Sequence, residues 1–240
     1  MDTRVDEIAD RIFRLSTFVT DIGPTGFTFN QFLVDADQPL LFHTGPRALF
    51  PTVSSAIATV MPMTRLRWIT FGHLEADECG AMNLFLAASP EAKIAHGALG
   101  CMVSINDLAD RPPRPMGPDD VLDLGGKRVR NVETPHVPHG WDAHVLFEET
   151  TGTLLCGDLF TQVGDCPALT GGDLLDAAAQ AEDMFGATCL TPHTAPTIRR
   201  LAELDPRALA IMHGSSYNGD CSKALLTLAD EYDRRLAAVG

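Results

Sequence analysis

The sequence predicts an α/β protein of the αββα type, in which two mixed β-sheets pack face to face and helices cover both outer faces. Two observations point there. Strand-like and helix-like segments run as strands, helix, strand, helices, strands and helices, which is neither a regular βα alternation nor an all-β chain. The 240 residues, 45 % of them hydrophobic, suffice for one substantial core, and no composition break divides them. Residues 1–240 are therefore read as a single domain with no solenoid-length repeat.

In chain order, residues 11–20 (RIFRLSTFVT) and 27–34 (FTFNQFLV) read as strands separated by the turn signal DIGPTG. The turn DADQP leads into LLFHTG, so 27–45 reads as a hairpin. PRALFPTVSSAIATVM begins with proline and has helical apolar spacing. The strand LRWITFG follows, then a helix near 79–88, a short strand AKIAHG and a helix ALGCMVSINDLA. The tract ADRPPRPMGPDD, residues 109–120, is rich in proline, which forbids regular structure, and reads as a long connection. DVLDLGGKRVRNVET reads as a hairpin turned by Gly125 and Gly126, and HVLFEETTGTLLCGD as another turned at TTG. Helices over 171–186 and 196–204, a strand ALAIMHG and a last helix KALLTLADEYDRRLAAV complete the pattern.

Composition narrows the function. A formal charge of −14 argues against nucleic acid and anionic membranes as partners, because both require a basic surface. No run of 18 apolar residues and no basic-then-apolar leader is present, which gives a cytoplasmic location as the expectation. The six cysteines lie far apart with no C-x-x-C pair, which argues against a zinc ribbon or iron–sulfur site.

The stretch LRWITFGHLEADECG carries the chemistry. His73, Glu75 and Asp77 are spaced two apart, so in an extended loop they point to one side, and Glu78 follows at once. One imidazole and three carboxylates after a buried strand call for a neutralising cation. The competing reading makes Asp77 a helix N-cap, with Glu78 in the first turn.

Five ordered pieces, LLFHTG, GHLEADE, TPHVPHGWDAH, LLCGDLF and MHG, together resemble the metallo-β-lactamase fold over roughly residues 12–215. Within that superfamily, H-x-E-x-D is similar to flavodiiron proteins and stand-alone oxygen-binding di-iron proteins, whereas the hydrolases usually carry H-x-H-x-D-H. The resemblance implies that His73, Glu75 and His139 hold one metal, that Asp77 and His213 hold a second, and that Asp158 bridges them. His136 is the rival of His139. Two positions depart from the pattern. Glu78 stands where a histidine is usual and is an additional ligand candidate. His43 stands where an aspartate usually supports the site from behind.

The implied set of three imidazoles and three carboxylates is rich in hard oxygen, which favours iron over zinc, with manganese possible. A bridging hydroxide or oxo group would complete the charge balance of two ions. The expected function is binding or reduction of dioxygen or nitric oxide, as a sensor or with a separate electron-donor or signalling protein, in a chain able to form a homodimer. No glycine-rich phosphate loop or flavodoxin-like segment is evident in the sequence. The alternative is a hydrolase that uses a metal-bridging hydroxide. His96, His144 and His193 read as packed or solvated histidines, with His193 a candidate for the cavity mouth. Trp141 and Tyr217 read as walls near the site, and Cys79 as a neighbour of it.

Overall fold

The structure, a computed structural model, describes residues 2–239. Among these, fourteen strands form two seven-stranded sheets. The first sheet runs β1 (Thr3–Ala9), β2 (Ile12–Val19), β3 (Phe27–Val34), β4 (Leu40–Phe42), β5 (Trp68–Thr70), β6 (Lys93–Gly97) and β7 (Arg114–Met116), in that spatial order. The second contains β8 (Val121–Asp123), β9 (Arg128–Glu133), β10 (His144–Glu148), β11 (Thr153–Leu155), β12 (Leu169–Thr170), β13 (Ala208–Ala210) and β14 (Ser216–Tyr217), ordered β12-β14-β13-β11-β10-β9-β8. Both sheets are mixed. Strands β1 to β4 are antiparallel and β4 to β7 parallel, while β13 runs parallel to β11 and β12 to β14 in an otherwise antiparallel second sheet.

Period-two alternation assigns each strand two faces and so builds three apolar layers. Phe32, Val34, Leu40 and Phe42 meet Leu146, Leu155 and Ala210 between the sheets. The intervening Leu33 and Leu41 turn outward onto Val53 and Ile57 of the helix Phe50–Val60 and onto Phe85 of Met82–Ala88. On the opposite face Phe147, Leu154 and Leu209 pack on Ile198 of the helix Thr194–Ala202 and on Leu225 and Leu228 of Cys221–Val239. The sandwich therefore follows from strands that are apolar on both sides.

Three local expectations are corrected. β1 occupies the acidic N-terminal stretch, to which the sequence pattern assigns no element, because its register with β2 carries it through the charged pattern. β7 lies inside the proline tract. Pro115 has no N–H to give, and an edge strand needs none on its open side. The helix expected from 171 begins at Leu175, after two glycines, with the Leu175 N–H donated to Asp173 Oδ1 (2.8 Å), and ends at Gly186 with φ 55°. None of the helices among the described residues is long and apolar enough to cross a membrane.

Candidate metal centre

All six residues expected to hold metal converge at one end of the sandwich, on loops that leave four strands. His73, Glu75 and Asp77 follow β5. Glu75 is the N-cap of the short helix Ala76–Cys79, which places Asp77 in its first turn and so excludes Asp77 as the cap. His139 belongs to the loop between β9 and β10, Asp158 follows β11, and His213 follows β13.

His73 Nε2 lies 2.7 Å from Glu75 Oε2, and His139 Nε2 lies 3.1 Å from the same oxygen and 3.3 Å from Asp158 Oδ2. These four residues each offer an atom within 4.8 Å of the others, close enough to hold an ion. On the other side, His213 Nε2 is 3.3 Å from Asp158 Oδ1 and 3.4 Å from Asp77 Oδ2. Asp158 thus turns one oxygen to each group. Its Oδ1 is buried and without a hydrogen bond, as a carboxylate shaped for a cation would be.

Neighbouring residues fix these rings. His213 Nδ1 donates to Thr28 O (2.8 Å), which leaves Nε2 facing the cluster. The loop after His213 is held by two buried donors, since Arg14 Nη2 and Asn30 Nδ2 both reach Gly214 O, at 3.0 and 2.9 Å. Gly140, at φ 83°, lets the His139 loop approach; a Cβ there would lie 3.0 Å from His73 Cβ. Sequence reasoning overlooked Arg14, although a charge inside the apolar strand RIFRLSTFV was a visible signal.

Glu78 is placed behind the cluster. Fully buried, it accepts the His73 N–H at Oε2 (2.6 Å), while His73 Nδ1 lies 3.1 Å from Oε1. It therefore grips the far nitrogen of His73. Gly72 makes room, because a Cβ there would stand 3.1 Å from Glu78 Oε1. His43, also fully buried and at φ 65°, brings Nε2 to 3.4 Å from Glu78 Oε1. The two departures noted in the sequence therefore face each other as an acid–imidazole pair. Burial pushes the Glu78 carboxyl up to about 7 against the pull of His73, and burial also pushes His43 down to about 3.

Other candidates lie elsewhere. His136 is exposed and lines a separate groove with His193, so neither borders the cluster. His96 and His144 are buried rather than solvated, and His96 Nε2 lies 3.1 Å from Asp142 Oδ2. Above the cluster opens a cavity of about 450 Å³ walled by Phe27, Pro138, Ala178, Ala181 and Phe185. Its lining also includes Thr188, whose hydroxyl bonds Glu182 and Tyr232. Neither Trp141 nor Tyr217 is among its walls.

With this geometry in view, residues 27–214 match the family described as ODP family beta lactamase. The chain belongs to that family. Its two-sheet sandwich is the metallo-β-lactamase fold in the form of the flavodiiron core. The chain is 24 % identical to the rubredoxin-oxygen oxidoreductase of Megalodesulfovibrio gigas over 206 residues, covering 82 % of this chain and 51 % of that protein. With the coenzyme F420H2 oxidase of Methanothermobacter marburgensis it is 28 % identical over 192 residues, 75 % of this chain and 46 % of the other. The metal-soaked Flv1 flavodiiron core from Synechocystis superposes with a TM-score of 0.81 at 20 % identity, over 98 % of this chain and 61 % of that one. The chain spans about half the length of the curated relatives it matches.

Proposed function

We propose that the chain is a binuclear non-haem iron protein that binds or reduces dioxygen or nitric oxide. His73, Glu75 and His139 would hold one ion, Asp77 and His213 the other, and Asp158 both. The observation that carries this reading is Asp158, whose two oxygens address separate groups of imidazoles at 3.3 Å each. The relatives' names, an oxygen oxidoreductase and an F420H2 oxidase, supply the reaction class. Two iron ions would supply redox equivalents and open positions for a diatomic ligand. The protein's own part is to orient and to exclude. Thr28 O and Glu78 fix the two imidazoles, and Phe27 and Phe185 wall the approach with apolar surface.

Reduction of dioxygen to water consumes four electrons and four protons, so turnover requires an electron donor beyond the metal pair, from a separate protein or domain. Anaerobic loading with ferrous iron should give about two irons per chain, and exposure to air should change the optical spectrum. Dioxygen uptake that continues with an added donor marks an enzyme, whereas a single stoichiometric change marks a sensor. Protein that takes up zinc in preference, with no spectral response to either gas, would overturn the proposal.

Metal uptake should also release protons. In the metal-free protein burial opposes charge on His73, but Glu78, Glu75 and Asp158 outweigh it and carry the ring up to about 11. For His213, burial is likewise outweighed by Asp158 and Asp77, to about 10. Ligating rings must be neutral, so binding near pH 8 displaces about two protons or more, His139 being raised as well by Glu75, and tightens as the pH rises. Calorimetry in buffers of different ionisation enthalpy reads this directly. The stability these charged rings give the metal-free fold is complete below about 6.5, the unfolded value, and is lost as the pH rises through about 10 to 11.

A further inference from the structure

A second cavity, of about 200 Å³, opens behind the metal-bearing loop, between β6, the helical segment that follows it and the start of β10. Its walls include Gly97, Leu99, Glu133, Trp141, Asp142 and His144. His144 is 2 % exposed, yet among the described residues neither ring nitrogen makes a hydrogen bond of normal geometry, the Asp142 backbone giving the ring no more than a weak polar contact. Burying an imidazole without such a bond is costly, so a buried, unsatisfied side chain beside a cavity points to a ligand that pairs with it. The neighbouring His96 ring, with its centroid 4.5 Å from that of His144, likewise leaves Nδ1 unpaired.

The chemistry of the walls selects the ligand. Two carboxylates border the space, and neither lysine nor arginine does. Asp142 is fixed in place, accepting the Leu74 N–H and the His96 Nε2–H at 3.1 Å each. Burial drives His144 toward the neutral imidazole, which offers one donor and one acceptor. Trp141 presents an aromatic wall, a partner for a flat cation. The helical segment alongside carries a π-helical turn at Cys101–Ile105, a distortion frequent at functional sites. Gly100 is required for the arrangement, because a Cβ there would lie 2.5 Å from the His96 ring. Gly97 is not crowded in this way; a Cβ at this position meets nothing within 4 Å.

We propose that this cavity is a second ligand site, distinct from the metal cluster, for a small planar organic cation of the amidine or aromatic amine class. The cation pairs with Glu133 and Asp142, bonds His144 and lies against Trp141. Because Leu74 lies between His73 and Glu75, the site backs onto the metal-bearing loop, but its ligand needs no metal.

Benzamidine is the probe, with benzamide as its uncharged counterpart, titrated calorimetrically into metal-free and iron-loaded protein. Saturable one-to-one binding is expected in both forms, about tenfold or more tighter for benzamidine. Gly97→Leu, which extends a side chain into open space, should melt like the parent and bind about tenfold or more weakly. Glu133→Gln should narrow the preference for the cation. Equal affinity for the two probes, unchanged binding by a normally folded Gly97→Leu protein, or no saturable binding would each overturn the proposal.

Discussion

If the chain holds the metal pair proposed for it, replacing Asp158 by alanine is expected to cost at least one of the two ions and to lower any dioxygen or nitric oxide reduction by more than about 100-fold. Loss of a group that merely orients a ligand costs about 10- to 100-fold, and Asp158 faces both halves of the cluster itself. In the metal-free protein, burial raises the Asp158 carboxyl but His213, His73 and His139 outweigh it and hold it down to about 2. Its removal leaves three imidazoles facing one another with less negative charge between them, so they give up protons more readily. Asp158→Asn keeps one oxygen and the side-chain shape, and it should retain one ion better than two. Metal counting on both variants after anaerobic loading checks this. Two tightly held ions in Asp158→Ala would show that the carboxylate does not join the halves.

The second large effect is expected at Glu78. Changing it to alanine removes a buried carboxylate that serves the His73 N–H and faces His73 Nδ1 and His43 Nε2. Breaking a buried pair on one side costs about 3–5 kcal/mol, so thermal or urea unfolding of the metal-free protein should show a loss of that order. Glu78→Gln keeps an acceptor for one donor and should cost about 1–2 kcal/mol. Both variants free the His73 ring to turn, which should weaken iron binding about 10- to 100-fold even where the fold survives. An Ala variant with parental stability would mean that Glu78 is a bystander.

Much of the architecture was legible because it depends on local periodicity. RIFRLSTFVT and FTFNQFLV are apolar and aromatic enough to declare strands, and Gly125–Gly126 and TTG declare the turns of two later hairpins. The acidic cluster after β5 was equally plain, since charge placed directly after an apolar run has few structural uses. What escaped notice depends on partners distant in sequence. β1 and β7 are strands through pairing rather than through composition, and the two-residue β12 and β14 are too short to leave a pattern. The same holds for polar pairs. Glu78 reads as a ligand candidate until its oxygens are seen to face the back of His73. His96 and Asp142, 46 positions apart, carry no mutual signal in the chain.

The cluster draws His73, Glu75 and Asp77 from the first sheet, and His139, Asp158 and His213 from the second. Neither layer has a complete set by itself, so ions captured there act as rivets through the seam of the sandwich. The first layer by itself offers one imidazole and two carboxylates, half of the proposed ligand set. On the proposed function, secure retention of a metal pair therefore requires both layers to have closed.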